Sequence, residues 1–199
     1  MPINLALDQQ WNPSQCATFK KTSEEFGVFS NMAGKAVGLN SLTVASIAIR
    51  TSEHLYQASR YPDRLDIQQA VLDQASPMFA KRVAKKKEYL THCRADWDTI
   101  QLDVMRWAIR VKLTFNYDQL GRVFLLSGQR PIVEIAPKDT TNGRYWGTAI
   151  QEQMLVGTNV MGQLLMELRQ DFRTKTRQEL SVVPTPIIPN IRILGNLLT

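Results

Sequence analysis

Leu42-Thr43-Val44-Ala45-Ser46-Ile47-Ala48-Ile49, followed almost at once by Thr51-Ser52-Glu53-His54-Leu55-Tyr56-Gln57-Ala58-Ser59-Arg60, is the stretch on which the reading of this chain turns. The first run is rich in β-branched residues and reads as one short buried strand. Thr51 or Ser52 then supplies an N-cap. That puts Glu53 in the first helical turn, where backbone N–H groups favour a carboxylate. A carboxylate, an imidazole, a phenol, an amide and a guanidinium in so few turns exceed what a core helix needs. Two readings fit: an acid presented for catalysis at the end of a strand, or a polar helix start that solvates itself.

Working outward, Pro62-Asp63 opens a helix to about Gln74, with Ile67, Ala70 and Val71 inward. Ser76-Pro77, an N-cap followed by proline at the first helical position, opens another through a basic run. Asp96 caps the longest helix, about 96–115. Its stripe of Trp97, Ile100, Val104, Ala108, Val111 and Phe115 is matched by a second of Leu102, Met105, Ile109 and Leu113, so it should be covered on two sides. A helix from Tyr117 to Leu126 ends at Ser127-Gly128, and Pro131 to Ala136 reads as a strand. Residues 137–157 read as loop. Thr158 or Asn159 caps a last helix with Met161, Leu164, Leu165, Leu168 and Phe172 inward. Pro184, Pro186 and Pro189 end helicity, and the apolar end, Ile187 to Leu198, docks on the body or on a partner.

Composition limits the function classes. At 199 residues the chain suits one well-buried domain, and 44% hydrophobic with 21% charged residues is ordinary for a soluble globular protein. No apolar run approaches the roughly 18 residues of a membrane span, and Met1-Pro2-Ile3-Asn4 lacks a secretory pattern. Cys16 and Cys93 stand far apart and outside any CxxC pattern, which fits a cytoplasmic setting without a structural metal. With His54 and His92 as the only histidines, a metal-dependent hydrolase is disfavoured. The net charge of +6 and pI near 9.5 favour an anionic partner: a phosphate-bearing metabolite, a nucleotide or a nucleic acid. Lys81, Arg82, Lys85, Lys86 and Lys87 form the densest cluster, either a solvated helix face or an attractor of phosphate.

The loops hold a second polar group. Glu134 ends a strand, Lys138-Asp139 follow a proline, and Arg144-Tyr145-Trp146-Gly147 follows Gly143. Such a mixture suits a site that stacks a ring and touches phosphate. Trp146 beside Gly147 reads as a base-stacking platform or as a plug at a core edge, whereas Trp107, in mid-helix, reads as packing.

Taken in order, these residues resemble the NADAR (YbiA-like) family. The resemblance begins at Phe19-Lys20-Lys21-Thr22 and Gly27 to Ala33, then takes in Thr51 to Ala58, Arg60-Tyr61-Pro62, Ser76-Pro77-Met78, Arg94 to Asp98 and Met105-Arg106-Trp107. Arg110 to Leu113, Pro131 to Glu134, Lys138-Asp139, Trp146-Gly147 and Gly157 to Gly162 continue it to about residue 172. Lys35 to Ile49 departs from the family's usual hairpin, and His54 stands where guanine-type members often carry alanine. The resemblance implies an α+β, mainly helical, single domain with a few short strands. It would comprise a lead-in over 1–18, a catalytic domain over 19–175 and a tail over 176–199.

The resemblance further implies an N-glycosidase that splits ribose or ADP-ribose from a base. Removal of ADP-ribose from guanine fits the Pro-Met, Arg-Trp and Asn-Val-Met-Gly stretches; the alternative substrates are ribosylated pyrimidine intermediates of riboflavin synthesis. Glu53 is the expected acid/base residue, as paired acids serve glycoside hydrolases. Lys21 is the expected nucleophile, with Lys20 beside it as the other candidate, and Asp139 orients a ribose hydroxyl or the lysine. Trp97 and Trp146 with Gly147 wall the base or adenine. Arg60, Lys112 and Asn159 meet phosphate or ribose, or hold the fold by hydrogen bonds, and Ser30-Asn31 give polar contacts. The loops after residues 29, 50 and 136 are expected to converge on one cleft. No cofactor or metal is implied, and no membrane. The partner is a small molecule bearing ADP-ribose or ribose phosphate, or an ADP-ribosylated nucleic acid. A non-catalytic reader of ADP-ribose or NAD-like ligands and a basic nucleic-acid module are the competing classes.

Overall fold

In the computed structural model, which describes residues 3–6 and 8–198, the run 42–49 is two strands rather than the expected one. Leu42–Val44 and Ile47–Ile49 pair antiparallel, Leu42 opposite Ile49. Ala45 and Ser46 make the reversal, both in the left-handed region with φ of 48° and 64°. This two-residue turn matches the twist of its strands, and Asn or Gly usually marks it. Ala-Ser carries no such mark. Burial of Leu42, Val44 and Ile49 offsets the conformational cost of the turn.

Thr51 follows as the N-cap of the helix Ser52–Ala58, its hydroxyl accepting from the backbone N–H of His54. Every residue of that helix is buried, so each of its polar side chains needs a partner inside the protein. The helix packs on Leu65–Leu72, Pro77–Ala84 and Trp97–Phe115. Both apolar stripes of the long helix are buried or half-buried, as their spacing requires. Asp96 occupies its N-cap position, yet its carboxylate accepts from Nε and Nη2 of Arg94 at 2.6 and 3.0 Å instead of capping. A two-pronged guanidinium outcompetes one backbone N–H. Ser76 likewise precedes Pro77 without a side-chain cap bond. The basic run is split between Pro77–Ala84 and a separate turn, Lys87–Leu90.

These elements, residues 31–116, form a compact unit with the C-terminal segment from Leu180. The tail docks on this body. Trp107 donates its indole N–H to the carbonyl of Pro184, Arg94 bonds that of Pro189, and Gln68 clamps Arg192 and Leu194. Ile188, Ile191 and Ile193 are buried, and Arg192–Ile193 pairs with Asn196–Leu197.

Residues up to Ser30 and Tyr117–Glu179 form the other compact unit. Ala17–Phe19 lies parallel to Ile132–Glu134, and Gln10–Trp11, Met154–Val156 and Ala149–Gln151 make an antiparallel sheet in that order. The stretch 137–157, expected as loop, holds the helix Thr141–Trp146 and the hairpin Ala149–Gln151 with Met154–Val156. The elements are too short for periodicity to show, and the turn uses Glu152 and Gln153 at positive φ, again with no Gly or Asn. Phe19, Phe26, Phe29, Phe124 and Phe172 pack edge and face around Tyr117–Ser127 and Val160–Thr174. Gly121 lets Phe172 in: a Cβ there would lie 2.7 Å from its ring. The chain is thus α+β and mainly helical.

Candidate active site

Glu53 is 1% exposed. Its Oε2 accepts from the side-chain amide of Asn31, and its Oε1 accepts from Nε2 of Gln57 at 2.9 Å. The spacing of four residues puts Gln57 on the same helix face, one turn on. Gln57 in turn accepts the Nε–H of Arg60 at 2.8 Å. The carbonyl of Asn31 receives the backbone N–H of Glu53 and the hydroxyl of Ser52 at 3.0 and 3.1 Å, which pins the segment 31 against the helix start. The result is a buried relay, Asn31–Glu53–Gln57–Arg60, in which amides hold the carboxylate by both oxygens.

An aromatic wall continues from it. The Arg60 guanidinium lies 4.3 Å over the Trp97 ring and 5.6 Å from that of Tyr56, and the two rings meet edge to face at 5.0 Å. The indole Nε1 of Trp97 is buried with no hydrogen-bond partner among the described residues. Lys85 feels this cluster. Partial burial holds its amine below the usual range, Lys81 and Arg60 push the same way, and Glu53 opposes them.

His54 faces away from this chemistry. Its Nδ1 meets the Thr51 hydroxyl at 2.8 Å and its Nε2 meets the Gln74 carbonyl at 2.9 Å. Burial depresses its pKa, and nearby Arg50 adds to this against the pull of the Gln74 carbonyl. Lys112 is 2% exposed, and burial alone brings its pKa down to about 7.

In the unit formed by residues up to Ser30 and 117–179, Lys20 and Lys21 are exposed on a tight turn. Glu24 closes that turn: its backbone N–H donates to the Lys21 carbonyl and its carboxylate accepts the Lys20 N–H. Gly27 is required beneath it, because a Cβ would sit on the backbone of Lys21 and Thr22. Ser30 is buried at the end of the 3-10 turn Gly27–Phe29. Asp139 is exposed and paired with Arg144 at 2.6 Å. Trp146, half-buried, closes the short helix with Tyr145 at right angles to it, and Gly147 lies where a Cβ would strike the carbonyl of Glu134. Asn159 is fully buried with φ of 53°. Its amide donates to the Ile132 carbonyl and accepts the Glu134 N–H, so it braces a strand and leaves the helix N-terminus uncapped.

The structure therefore gathers Asn31, Glu53, Arg60 and Trp97 of the expected residues into one contact network. It also adds two that the sequence marks only as part of the polar stretch, without a site role, Gln57 and Tyr56. Both lie in the polar stretch 51–60, and the four-residue spacing of Gln57 from Glu53 is the available signal. Among the described residues, no three His, Cys, Asp or Glu side chains gather as a metal would need, and no helix is long and apolar enough to cross a membrane.

Comparison with known proteins places these features in a family. The NADAR domain model matches residues 18–173. The chain is 29% identical over 172 residues to the N-glycosidase YbiA of Escherichia coli, covering 86% of this chain and 98% of that protein. It is 29% identical over 176 residues to the chloroplastic riboflavin biosynthesis protein PYRR of Zea mays, covering 84% of this chain and 27% of the maize protein. The NMR structure of E. coli YbiA superposes with a TM-score of 0.63 at 27% identity, over 87% of this chain and 94% of that one.

Proposed function

This chain belongs to the NADAR domain family, and on that premise we propose that it is an N-glycosidase hydrolysing the bond between ribose and a base. The observation that carries the reading is the Glu53 carboxylate, buried at a strand-to-helix junction and held by the amides of Asn31 and Gln57. Hydrolysis breaks the C1′–N bond, places a hydroxyl on C1′ and sends a proton to the departing nitrogen. Bound to neutral donors, Glu53 offers its negative charge to the oxocarbenium-like carbon or directs the attacking water. Asn31 and Gln57 orient it, and the Arg60–Trp97–Tyr56 stack offers a flat, cationic wall to an aromatic base or adenine.

Lys21 is the proposed nucleophile of a covalent variant. Its amine displaces the base at C1′ and one of its protons leaves with the base. Ring opening then yields an iminium that water hydrolyses, returning the amine. Asp139 is the proposed partner of a ribose hydroxyl, with Trp146 and Gly147 beside the base, and Ser30 supplies a polar contact. For Asn159 and Lys112, full burial supports a positioning role rather than direct contact.

ADP-ribose on guanine is the proposed substrate, supported by the Pro77-Met78, Arg106-Trp107 and Asn159-Val160-Met161-Gly162 stretches. The kinship with PYRR of maize favours a second reading, ribosylated pyrimidine intermediates of riboflavin synthesis. Incubation with ADP-ribosylated guanosine, the ribosylaminopyrimidine phosphate and NAD, followed by chromatography of released base, tests both. Guanine release from the first alone supports the proposal, release of pyrimidine supports the second reading, and no release from any sinks the enzymatic reading.

A further inference from the structure

Proline decides how the C-terminal segment is held. Pro184, Pro186 and Pro189 have no N–H to donate and keep the residues before them extended, so the run presents carbonyls that need donors from elsewhere. The body supplies them. Trp107 and Arg94 bond the carbonyls of Pro184 and Pro189 at 2.8 and 2.7 Å, and Arg110 bonds that of Leu180 at 3.1 Å. Ile188, Ile191 and Ile193, all buried, fasten the segment by packing. The NADAR match ends at residue 173, so these tail residues lie outside it.

Two of the residues that hold the tail also hold the site. Arg94 is the first. Its backbone N–H donates to the Arg60 carbonyl at 2.9 Å, and its own carbonyl accepts the Trp97 N–H at 3.2 Å. Arg60 and Trp97 are the two partners of the cation–ring stack. One residue therefore bonds the tail and both halves of that stack. The Arg94 guanidinium cannot swing freely, because Nε and Nη2 are forked on Asp96 while Nη2 also donates to Pro189. Gln68, fully buried, is the second. Its Nε2 donates to the carbonyls of Arg192 and Ala58 at 2.7 and 3.2 Å, and its Oε1 accepts the Leu194 N–H at 2.7 Å. Ala58 is the last residue of the helix that carries Glu53 and Gln57. Both links arrive at residues 58–60, from which Arg60 reaches back to Gln57.

We propose that the segment 184–194 is a positioning element of the site: through Arg94 and Gln68 it keeps Arg60 in place over Trp97. The value of that stack to a substrate rests on the glycosidase reading, whereas the mechanical link stands on the hydrogen bonds alone. Loosening the segment lets the guanidinium drift from the ring. Glu53 keeps its own bonds to Asn31 and Gln57, so the loss falls on substrate binding more than on the chemical step.

Hydrogen exchange of the full chain, resolved by peptide, tests the link without any substrate. Ile191→Ala alters the tail and neither anchor. It should speed exchange of 52–60 and 94–97 at least fivefold while changing the hairpin 42–49 of the same unit less than twofold. Ile191→Val should return most of the protection. Arg94→Lys, which gives up the fork, should loosen 188–194 and 52–60 together, and it carries the comparison with Ile191→Val if Ile191→Ala melts below the assay temperature. Trp107→Phe, which loses the bond to Pro184 upstream, should leave 52–60 within twofold. For a riboside that the wild type cleaves, Ile191→Ala and Arg94→Lys should raise KM threefold or more with kcat within twofold. Equal acceleration of 42–49 and 52–60 would mean that the tail only stabilises the unit, and acceleration confined to 180–198 would mean that it does not reach the site; either overturns the proposal. Selective exchange at 52–60 without base release from any riboside would sink the glycosidase reading and leave the tail's hold on Arg60 standing. Base release with unaltered exchange at 52–60 would do the reverse.

Discussion

Gln57 donates to Oε1 of Glu53 at 2.9 Å and accepts the Nε–H of Arg60 at 2.8 Å, so its amide has a single orientation. A flip would set a donor against Arg60 and an acceptor against the carboxylate. The Asn31 side chain reaches the Glu53 carboxylate through its amide N–H alone.

This difference makes Glu53→Gln a clean variant. The new side-chain oxygen can face Gln57 and the new NH2 can face Asn31 once that amide turns round. The variant should melt within a few degrees of the wild type by circular dichroism. If Glu53 acts as acid or base, its rate of base release falls by about 10²–10⁴-fold.

Gln57→Leu should do two kinds of damage. It leaves Oε1 of Glu53 and Nε of Arg60 without their buried partner, a loss of about 1–3 kcal/mol readable by urea unfolding. It also frees the carboxylate to reorient, so kcat should fall more than KM rises. A variant with wild-type kcat would show that Gln57 positions nothing.

His54 gives the fold an acid sensitivity. Its folded pKa lies below the ordinary value of 6.5, because burial disfavours the imidazolium. Above about pH 6.5 the ring is neutral in both states and its contribution is complete. As pH falls, the unfolded chain takes up the proton first, and stability declines until the folded value is passed. Urea midpoints at pH 7.5 and 5.5 should show this decline, and His54→Ala should flatten it.

Lys112 has the same sign over a higher window. With a folded pKa of about 7 against 10.5 unfolded, stability should rise with pH from about 7 to about 10.5. Lys112→Met should be more stable than wild type near pH 7, with the difference shrinking by pH 9.5. A constant difference across that range would refute the buried-amine account.

Gly162 carries a packing claim. A Cβ there would sit on the Ile132 carbonyl and on the Asn159 amide, the group that braces the strand. Gly162→Ala should cost about 1–3 kcal/mol, measured by chemical unfolding.

Much of this fold is legible in the sequence wherever periodicity is long or a cap is strong. The helix Trp97–Phe115 shows both its stripes, and Thr51 announces the helix that carries Glu53. The two hairpins are not legible, since Ala45-Ser46 and Glu152-Gln153 adopt positive φ with residues that rarely do. Capping is half legible: Asp96 and Asn159 stand at the right positions, but Arg94 and the strand at Ile132–Glu134 claim their side chains. At the site, residue types name Glu53 and Arg60, but their link through Gln57 emerges only once the helix is built. Lys85 joins Arg60 only through helix packing, which no local pattern records.

The most direct measurement is base release by wild type and Glu53→Gln from the best substrate of the panel, both proteins verified as folded. The account predicts a loss of at least a hundredfold with the same melting curve. Equal rates would contradict it, leaving the Asn31–Glu53–Gln57 network as a structural brace.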